Sequence, residues 1–339
     1  MILIFTHTGT DLTVQRLSET LRSKGVEPLV LDPALIEQLS SFEIATGPSG
    51  EVRCVLRLPE RTVELSEVRS ALLWRSWHRY DDEPALQALA AKPREWAFYK
   101  QEWLTFYRGL VLTLAHHGVF CVNPPPFNTA FEEKCCQLFL AAKVGLEIPP
   151  TCYTARLPMA RAFAETLDAP MIYKPFRTFA HVVETPPDQP ARKRVLYTSR
   201  VRNTDLVETA NYVPTPSIFQ PYIDKAFELR ITVVGRQVFS CAIHSQETER
   251  TREDWRHYDW EHTPHRVYDL PPEIVQKVLT LMDQLGLVYG CIDMIVTPDG
   301  RYLFLEVNPN GQFDWIAQMT GLPIYDALAD LLIAGGTPA

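Results

Sequence analysis

The chain opens on a five-residue apolar run, Ile2–Thr6, followed by apolar residues at helical spacing over about 12–24 and a second apolar run at 28–31. Strand, amphipathic helix and returning strand in that order predict a βα unit opening a parallel sheet. Residues 42–66 alternate apolar and polar around a Pro48-Ser49-Gly50 turn, as half-buried strands do. A short apolar run ends at Trp74, and 84–118 is rich in Ala, Leu and aromatics at helical spacing. Val119–Asn123 reads as a strand broken by Pro124–Pro126, and a helix is expected from about Thr129 to Val144, stopped by Gly145 with Pro149-Pro150 beyond. After 151, short helices alternate with strands expected near 170–175, 180–185, 194–202, 216–222, 227–234 and 236–243. A polar, tryptophan-containing stretch covers 245–266. A helix near 272–285, two apolar runs at 288–297 and 302–308, and a last helix at roughly 323–334 complete the pattern. The expected organisation is an α/β (α+β) chain in three units: 1–122, 123–215, and 216–339 dominated by antiparallel sheet.

The last two apolar runs, VYGCIDMIVT and YLFLEVN, each carry one acid, Asp293 and Glu306, and are joined by Pro298-Asp299-Gly300-Arg301. Asp-Gly between strand-like runs predicts a hairpin with a two-residue type I′ turn, which sets Asp293 opposite Glu306. Facing carboxylates have Cβ atoms about 4.5–5.5 Å apart and repel unless a cation lies between them. Asn308, two residues from Glu306, projects to the same face. Two carboxylates and an amide suit Mg²⁺, which completes its shell with water and substrate phosphates. A hairpin carrying two solvated acids is the plainer alternative.

At 339 residues the chain is long enough for two or three cores. A net charge of −8 disfavours a nucleic-acid-binding protein. No apolar run approaches the ~20 residues of a membrane span, and the N-terminus lacks a signal-peptide pattern. Seven scattered cysteines without a CxxC pair fit reduced thiols in a cytoplasmic protein, with Cys135 and Cys136 expected in the core.

A metal site of this kind requires groups for phosphate. Lys174 is a lone lysine in an apolar strand, Met-Ile-Tyr-Lys, costly unless paired. Lys134 opens a helix, where lysine is ordinarily surface. Gln220-Pro221-Tyr222-Ile223 is an extended segment whose backbone could meet an adenine edge. Glu228-Leu229-Arg230 puts a carboxylate and a guanidinium on one strand face, suited either to a phosphoryl group or to a surface ion-pair ladder. Tryptophans 74, 77, 96 and 103, with Arg75, Arg79 and Arg94, could form a peptide-binding surface, although packing is the simpler reading for Trp96 and Trp103.

The order Lys134, Lys174, Gln220–Ile223, Glu228-x-Arg230, Asp293 and Glu306-Val-Asn308 resembles the ATP-grasp carboxylate–amine ligases over residues ~120–335. Within them, Glu306-Val-Asn308-Pro309-Asn310-Gly311-Gln312 and Asp254-Trp255-Arg256 are similar to the graspetide (microviridin-type) peptide macrocyclases. The resemblance implies an ATP-grasp fold behind an N-terminal pre-ATP-grasp unit, with ATP and Mg²⁺ as cofactors. It implies that Lys134 and Lys174 hold ATP phosphates, the backbone at Gln220, Pro221, Tyr222 and Ile223 reads adenine, and Glu228 binds ribose. Arg230 and Arg256 would contact the terminal or acyl phosphate, and Asp293, Glu306 and Asn308 would carry Mg²⁺. The implied partner is a ribosomal precursor peptide with leader and core, no nucleic acid or membrane, and a homodimer. Two departures stand out: Trp74-Arg75-Ser76-Trp77-His78-Arg79 matches that family only in part, and Arg177-Thr178-Phe179 replaces a glycine-rich phosphate lid. Alternatives are a RimK-like ligase adding amino acids, a kinase on the same fold, and a non-catalytic nucleotide- and peptide-binding protein.

Overall fold

The computed structural model describes residues 1–6, 11–31, 41–74, 89, 91–125, 133–176, 179–183, 192–196, 198–207, 213–247 and 262–336. The N-terminal part runs β1 (Ile2–Thr6), α1 (Leu12–Ser23), β2 (Leu29–Leu31), β3 (Ser41–Thr46), β4 (Val52–Arg57), β5 (Thr62–Glu64), β6 (Ser70–Trp74), α2 (Pro93–His116) and β7 (Phe120–Val122). Strands β2-β1-β6-β7 form a parallel sheet, and β3-β4-β5 a small antiparallel one. The unbroken apolar runs of β1 and β6 are explained by burial on both faces. Ile2, Ile4, Leu72 and Trp74 face Val14, Leu17 and Leu21 of α1, while Leu3, Phe5, Ala71 and Leu73 face Tyr107, Leu110 and Leu114 of α2. Helix α1 starts at Asp11, whose side chain accepts from the Thr13 N–H at 2.9 Å.

The middle part contains α3 (Lys134–Lys143), β8 (Cys152–Thr154), α4 (Leu157–Ala164), β9 (Met171–Lys174), β10 (Phe179–Val183), β11 (Arg192–Leu196), β12 (Ser199–Val201) and β13 (Ser217–Pro221). Antiparallel sheet β12-β9-β13-β8 carries α4 on one face, where Met171, Tyr173 and Phe219 pack with Ala160 and Leu206. Strand alternation then turns Ile172, Lys174, Ile218 and Gln220 to the opposite face. The strand expected over 194–202 is split into β11, which pairs with β10, and β12, which joins β9.

The last part comprises β14 (Phe227–Val234), β15 (Gln237–Ile243), β16 (His265–Val267), α5 (Pro272–Leu285), β17 (Tyr289–Val296), β18 (Tyr302–Asn308), α6 (Asp314–Thr320) and α7 (Ile324–Ala334). Its antiparallel sheet, β16-β15-β14-β17-β18, buries Leu229, Ile231, Val233, Ile292, Met294, Phe304 and Val307 under α5. Leu138 and Ala141 of α3 join this core, so α3 packs against the last sheet rather than the middle one. Helix α7 returns to cover the N-terminal sheet, with Leu328, Leu331 and Leu332 in the same cluster as Ile4 and Trp74. Asn123 ties the two ends together. Its amide donates to the carbonyls of Tyr289 and Pro309, both at 2.9 Å, and accepts from the N–H groups of Val288 and Tyr289 at 3.0 and 2.8 Å. That satisfies a buried amide completely.

Three expectations need correction. Trp74 is 1% exposed, packed edge-on to Tyr289 and Phe313, with its indole N–H donating to Asp11 at 3.2 Å; it belongs to the core, not to a peptide surface. Cys135 and Cys136 are exposed, because the buried face of α3 is Gln137, Leu138 and Ala141. Helix α6 (Asp314–Thr320) lies where no helix is expected from the pattern. Arg75, Trp77 and Arg79 lie outside the described residues; Arg94 is exposed and Trp96 is buried and stacked on Tyr99.

Candidate functional site

The middle and last sheets face each other across a cleft of about 1010 Å³, open to solvent. Lys134, Lys174, Gln220, Pro221, Tyr222, Ile223, Glu228, Asp293 and Glu306 all line it, although they are spread over 173 residues of chain; Arg230 adjoins it through Asp293. Parity puts them there. On β14, Leu229 and Ile231 point into the core beneath α5, so Glu228 and Arg230 point to the other side. On β9, Tyr173 packs under α4, so Lys174 points into the cleft.

Asp293 and Glu306 are register partners, as expected, although the turn is not the expected one. Gly300 N–H donates to the Thr297 carbonyl at 2.9 Å and Thr297 N–H to the Arg301 carbonyl at 3.0 Å, with Gly300 at φ +83°. These bonds define a three-residue loop, Pro298–Gly300, closed by a left-handed glycine. Pro298 prefers the first corner of an ordinary turn and has no place in the two-residue form. The longer loop shifts the register by one residue from Val296↔Tyr302 to Met294↔Phe304. Leu305 then enters as an extra residue in β18, and the shift is undone at Asp293↔Glu306. The bulge also explains why Phe304 and Val307, three apart, share the core face.

Each acid has its own cation. Arg230 Nη1 donates to Asp293 Oδ1 at 2.8 Å, with the two side chains 7% and 9% exposed. Burial alone would lower the Arg230 pKa, but the Asp293 charge and hydrogen bond outweigh it and leave the guanidinium firmly protonated. Arg230 Nη2 donates to the Gln312 carbonyl at 3.1 Å. It can do so because residue 311 is glycine: a Cβ there would stand 2.8 Å from Arg230 Nη2 and 2.5 Å from Cys291 Cβ. Lys134 Nζ lies 2.9 Å from Glu306 Oε2. Asn308 Nδ2 donates to Asp293 Oδ2 at 3.4 Å, joining the amide to the acid pair.

The strand bearing Glu306 and Asn308 is the edge of its sheet, and α3 covers that edge. Gln137 Nε2 donates to the Val307 carbonyl at 2.8 Å, and the Val307 N–H donates to Gln137 Oε1 at 2.9 Å. One side chain thus replaces a neighbouring strand between the two residues of the site. The following loop is tied to the N-terminal part: Thr13 Oγ1 donates to Gln312 Oε1 at 2.8 Å, and Arg16 pairs with Asp314 at 2.5 Å.

Sequence reading missed Lys225, which lines the cleft and pairs with Glu228 at 2.5 Å, both buried. A lysine beside an apolar strand, three residues before an acid, was its only signal. It also missed Arg200, whose guanidinium lies 3.9 Å from the centre of the Tyr222 ring. In the segment expected to face adenine, the Tyr222 N–H is committed to the Pro170 carbonyl at 2.6 Å and the Gln220 amide to Thr151 Oγ1 at 3.0 Å. Arg256, with Asp254 and Trp255, lies outside the described residues.

Among the described residues there is no group of three or more His, Cys, Asp or Glu arranged to hold a metal. Asp293, Glu306 and Asn308 nonetheless fit Mg²⁺ in one specific manner: two carboxylates and an amide oxygen, with the rest of the octahedron left to phosphate and water. A metal that prefers nitrogen or sulfur ligands, such as Zn²⁺ or Cu²⁺, would find neither imidazole nor thiolate in this donor set, whereas Mn²⁺ shares the preference of Mg²⁺ for oxygen.

Residues 133–332 match the RimK-like ATP-grasp domain family. No curated protein matches the chain. Among solved structures, a RiPP-associated ATP-grasp ligase from Chryseobacterium gregarium, in complex with ADP and a leader and core peptide, is 27% identical, with a TM-score of 0.84 over 98% of this chain and 96% of that one. The macrocyclase MdnC bound with precursor peptide MdnA, from Microcystis aeruginosa MRC, is 28% identical, with a TM-score of 0.81 over 98% of each chain. Macrocyclase MdnB from the same organism is 26% identical, with a TM-score of 0.71 over 98% of each chain.

Proposed function

This chain belongs to the RimK-like ATP-grasp family, and from that premise we propose that it is an ATP-dependent ligase closing ω-ester or ω-amide rings in a ribosomally made precursor peptide. The observation that carries the reading is the single cleft in which two lysines, the Glu228–Arg230 strand face and the Asp293–Glu306 pair converge. Likeness over nearly the whole chain to two peptide-bound ligases, at 27% and 28% identity, supports the peptide as substrate. The relatives' names favour ring closure over the addition of free amino acids.

In this reading Lys134 and Lys174 hold phosphates, the Gln220–Ile223 crossover meets the base and Glu228 the ribose. An Asp or Glu carboxylate of the peptide attacks the terminal phosphorus, the bond to ADP breaks, and an acyl phosphate forms. Lys174 and Arg230 spread the negative charge that develops on the transferring group. Mg²⁺ held by Asp293, Glu306 and Asn308 would supply charge neutralisation across the phosphates. A Ser or Thr hydroxyl, or a Lys amine, of the same peptide then attacks the acyl carbon. Phosphate leaves, the attacking group loses its proton, and the net change in the peptide is loss of one water per ring. Arg256 is assigned to the acyl phosphate by family likeness alone. A homodimer in the cytoplasm completes the proposal; among the described residues no helix is long and apolar enough to cross a membrane.

The test is mass spectrometry of a candidate precursor encoded beside the gene, incubated with the chain, ATP and Mg²⁺. Loss of water masses, abolished by Glu306→Gln, is expected. A gain of amino-acid mass points to a RimK-like addition, a stable phosphate adduct to a kinase, and an unchanged peptide with ATP bound but not consumed to a non-catalytic binder.

A further inference from the structure

The two acids of the cleft are neutralised by cations of different character. Arg230 is buried and fixed at three places: Asp293, the Gln312 carbonyl, and the close pass over Gly311. Lys134 is about a quarter exposed, sits on the first residue of α3, and touches Glu306 by the tip of a flexible stem from the cleft wall. Its origin is nonetheless fixed. One turn further along α3, Gln137 is bonded at both ends of its amide to Val307, the residue next to Glu306.

Among the described residues, the pairs Arg230–Asp293 and Lys134–Glu306 together carry no net charge. A divalent ion arriving alone meets little net attraction, and to ligate Glu306 through Oε2 it must displace an ammonium group. A polyphosphate alters both conditions at once: it offers Lys134 a second anion, and it brings negative charge of its own. We propose that Lys134 is a gate on the metal site, holding Glu306 until a nucleotide's phosphates draw the ammonium away, so that divalent metal enters with the nucleotide and not before it. The proposal rests on the ligase reading and adds an order of binding to it. By linkage the effect is reciprocal: metal and nucleotide each tighten the other, and the coupling runs through one lysine.

Mn²⁺ titrations of the full chain, followed by electron paramagnetic resonance with and without ADP, provide the test. The wild type should show saturable Mn²⁺ binding only when ADP is present. Lys134→Met should bind Mn²⁺ without nucleotide, about tenfold more tightly than the wild type or better, because the cluster is left with one net negative charge. Lys134→Gln should do the same, and adding Glu306→Gln to either variant should abolish the gain. Saturable Mn²⁺ binding by the wild type without ADP overturns the gate whatever the variants do; so does the lack of any gain in both folded variants. Calorimetry with ADP keeps the two proposals apart. Failure of the gate leaves ADP binding to the wild type intact, whereas no ADP binding with or without metal sinks the ligase reading and the gate with it.

Discussion

Arg230→Met separates the charge of Arg230 from its packing. Methionine keeps an apolar stem where the arginine stem lies but removes the 2.8 Å bond to Asp293 and the 3.1 Å bond to the Gln312 carbonyl. Both side chains of the pair are less than a tenth exposed, so solvent screens little of the loss. Breaking a buried ion pair from one side costs about 3–5 kcal/mol, chiefly because the remaining charge is stranded. Asp293→Asn keeps an acceptor opposite Arg230 and should cost less, about 1.5–3 kcal/mol, the value of a charged hydrogen bond. The double variant strands no charge, so its loss should fall short of the sum of the singles by about 2–3 kcal/mol. Urea denaturation followed by tryptophan fluorescence measures all four corners of the cycle. If the singles add to the double within about 0.5 kcal/mol, Arg230 and Asp293 are not coupled and the charge arrangement argued for the cleft is wrong.

Gln137→Leu should destabilise the chain by about 1–3 kcal/mol for each backbone group of Val307 that it orphans, and should weaken Mg²⁺–ADP binding because β18 loses its clamp between Glu306 and Asn308; urea melts and calorimetry read the two effects. His265, packed edge-on to Trp315, has its pKa lowered chiefly by burial, which outweighs the opposing backbone bond at Thr263, with a smaller lowering from the charge of His244. Its neutral form is favoured in the folded chain, so the unfolded chain takes up more protons and stability falls as pH drops below the ordinary value of about 6.5. His265→Gln should flatten that slope of unfolding free energy against pH, and an unaltered slope would refute the assignment. Under native conditions a thiol reagent should modify Cys135 and Cys136 quickly and spare Cys121 and Cys241, buried thiols pushed up to about 12; peptide mapping after brief labelling checks this.

Much of the arrangement was legible because strand geometry is periodic. A carboxylate in each of two neighbouring apolar runs, Glu228 two before Arg230, and a lone Lys174 in an apolar strand all become informative once side chains alternate faces. Counting along the hairpin was less secure. The expected two-residue turn predicts the Asp293–Glu306 pairing, but the chain reaches it by two compensating shifts, a three-residue loop and the extra residue Leu305.

What the amino-acid sequence determined by itself is local: the periods of the strands and helices, the breaks at glycine and proline, and the residue types available for phosphate and Mg²⁺. What only the tertiary structure decided is which side chains meet, because that depends on contacts between segments far apart in the chain. Trp74 resembled a surface anchor until Tyr289 and Phe313 closed over it. Cys135 and Cys136 resembled core until α3 turned its Gln137 face to β18. Lys134 carried no strong local signal, yet packing of α3 against β18 placed it against Glu306, 172 positions further along the chain, at 2.9 Å. Charge pairing inside a cleft follows from that packing and from the low exposure it imposes, neither of which is written in local pattern.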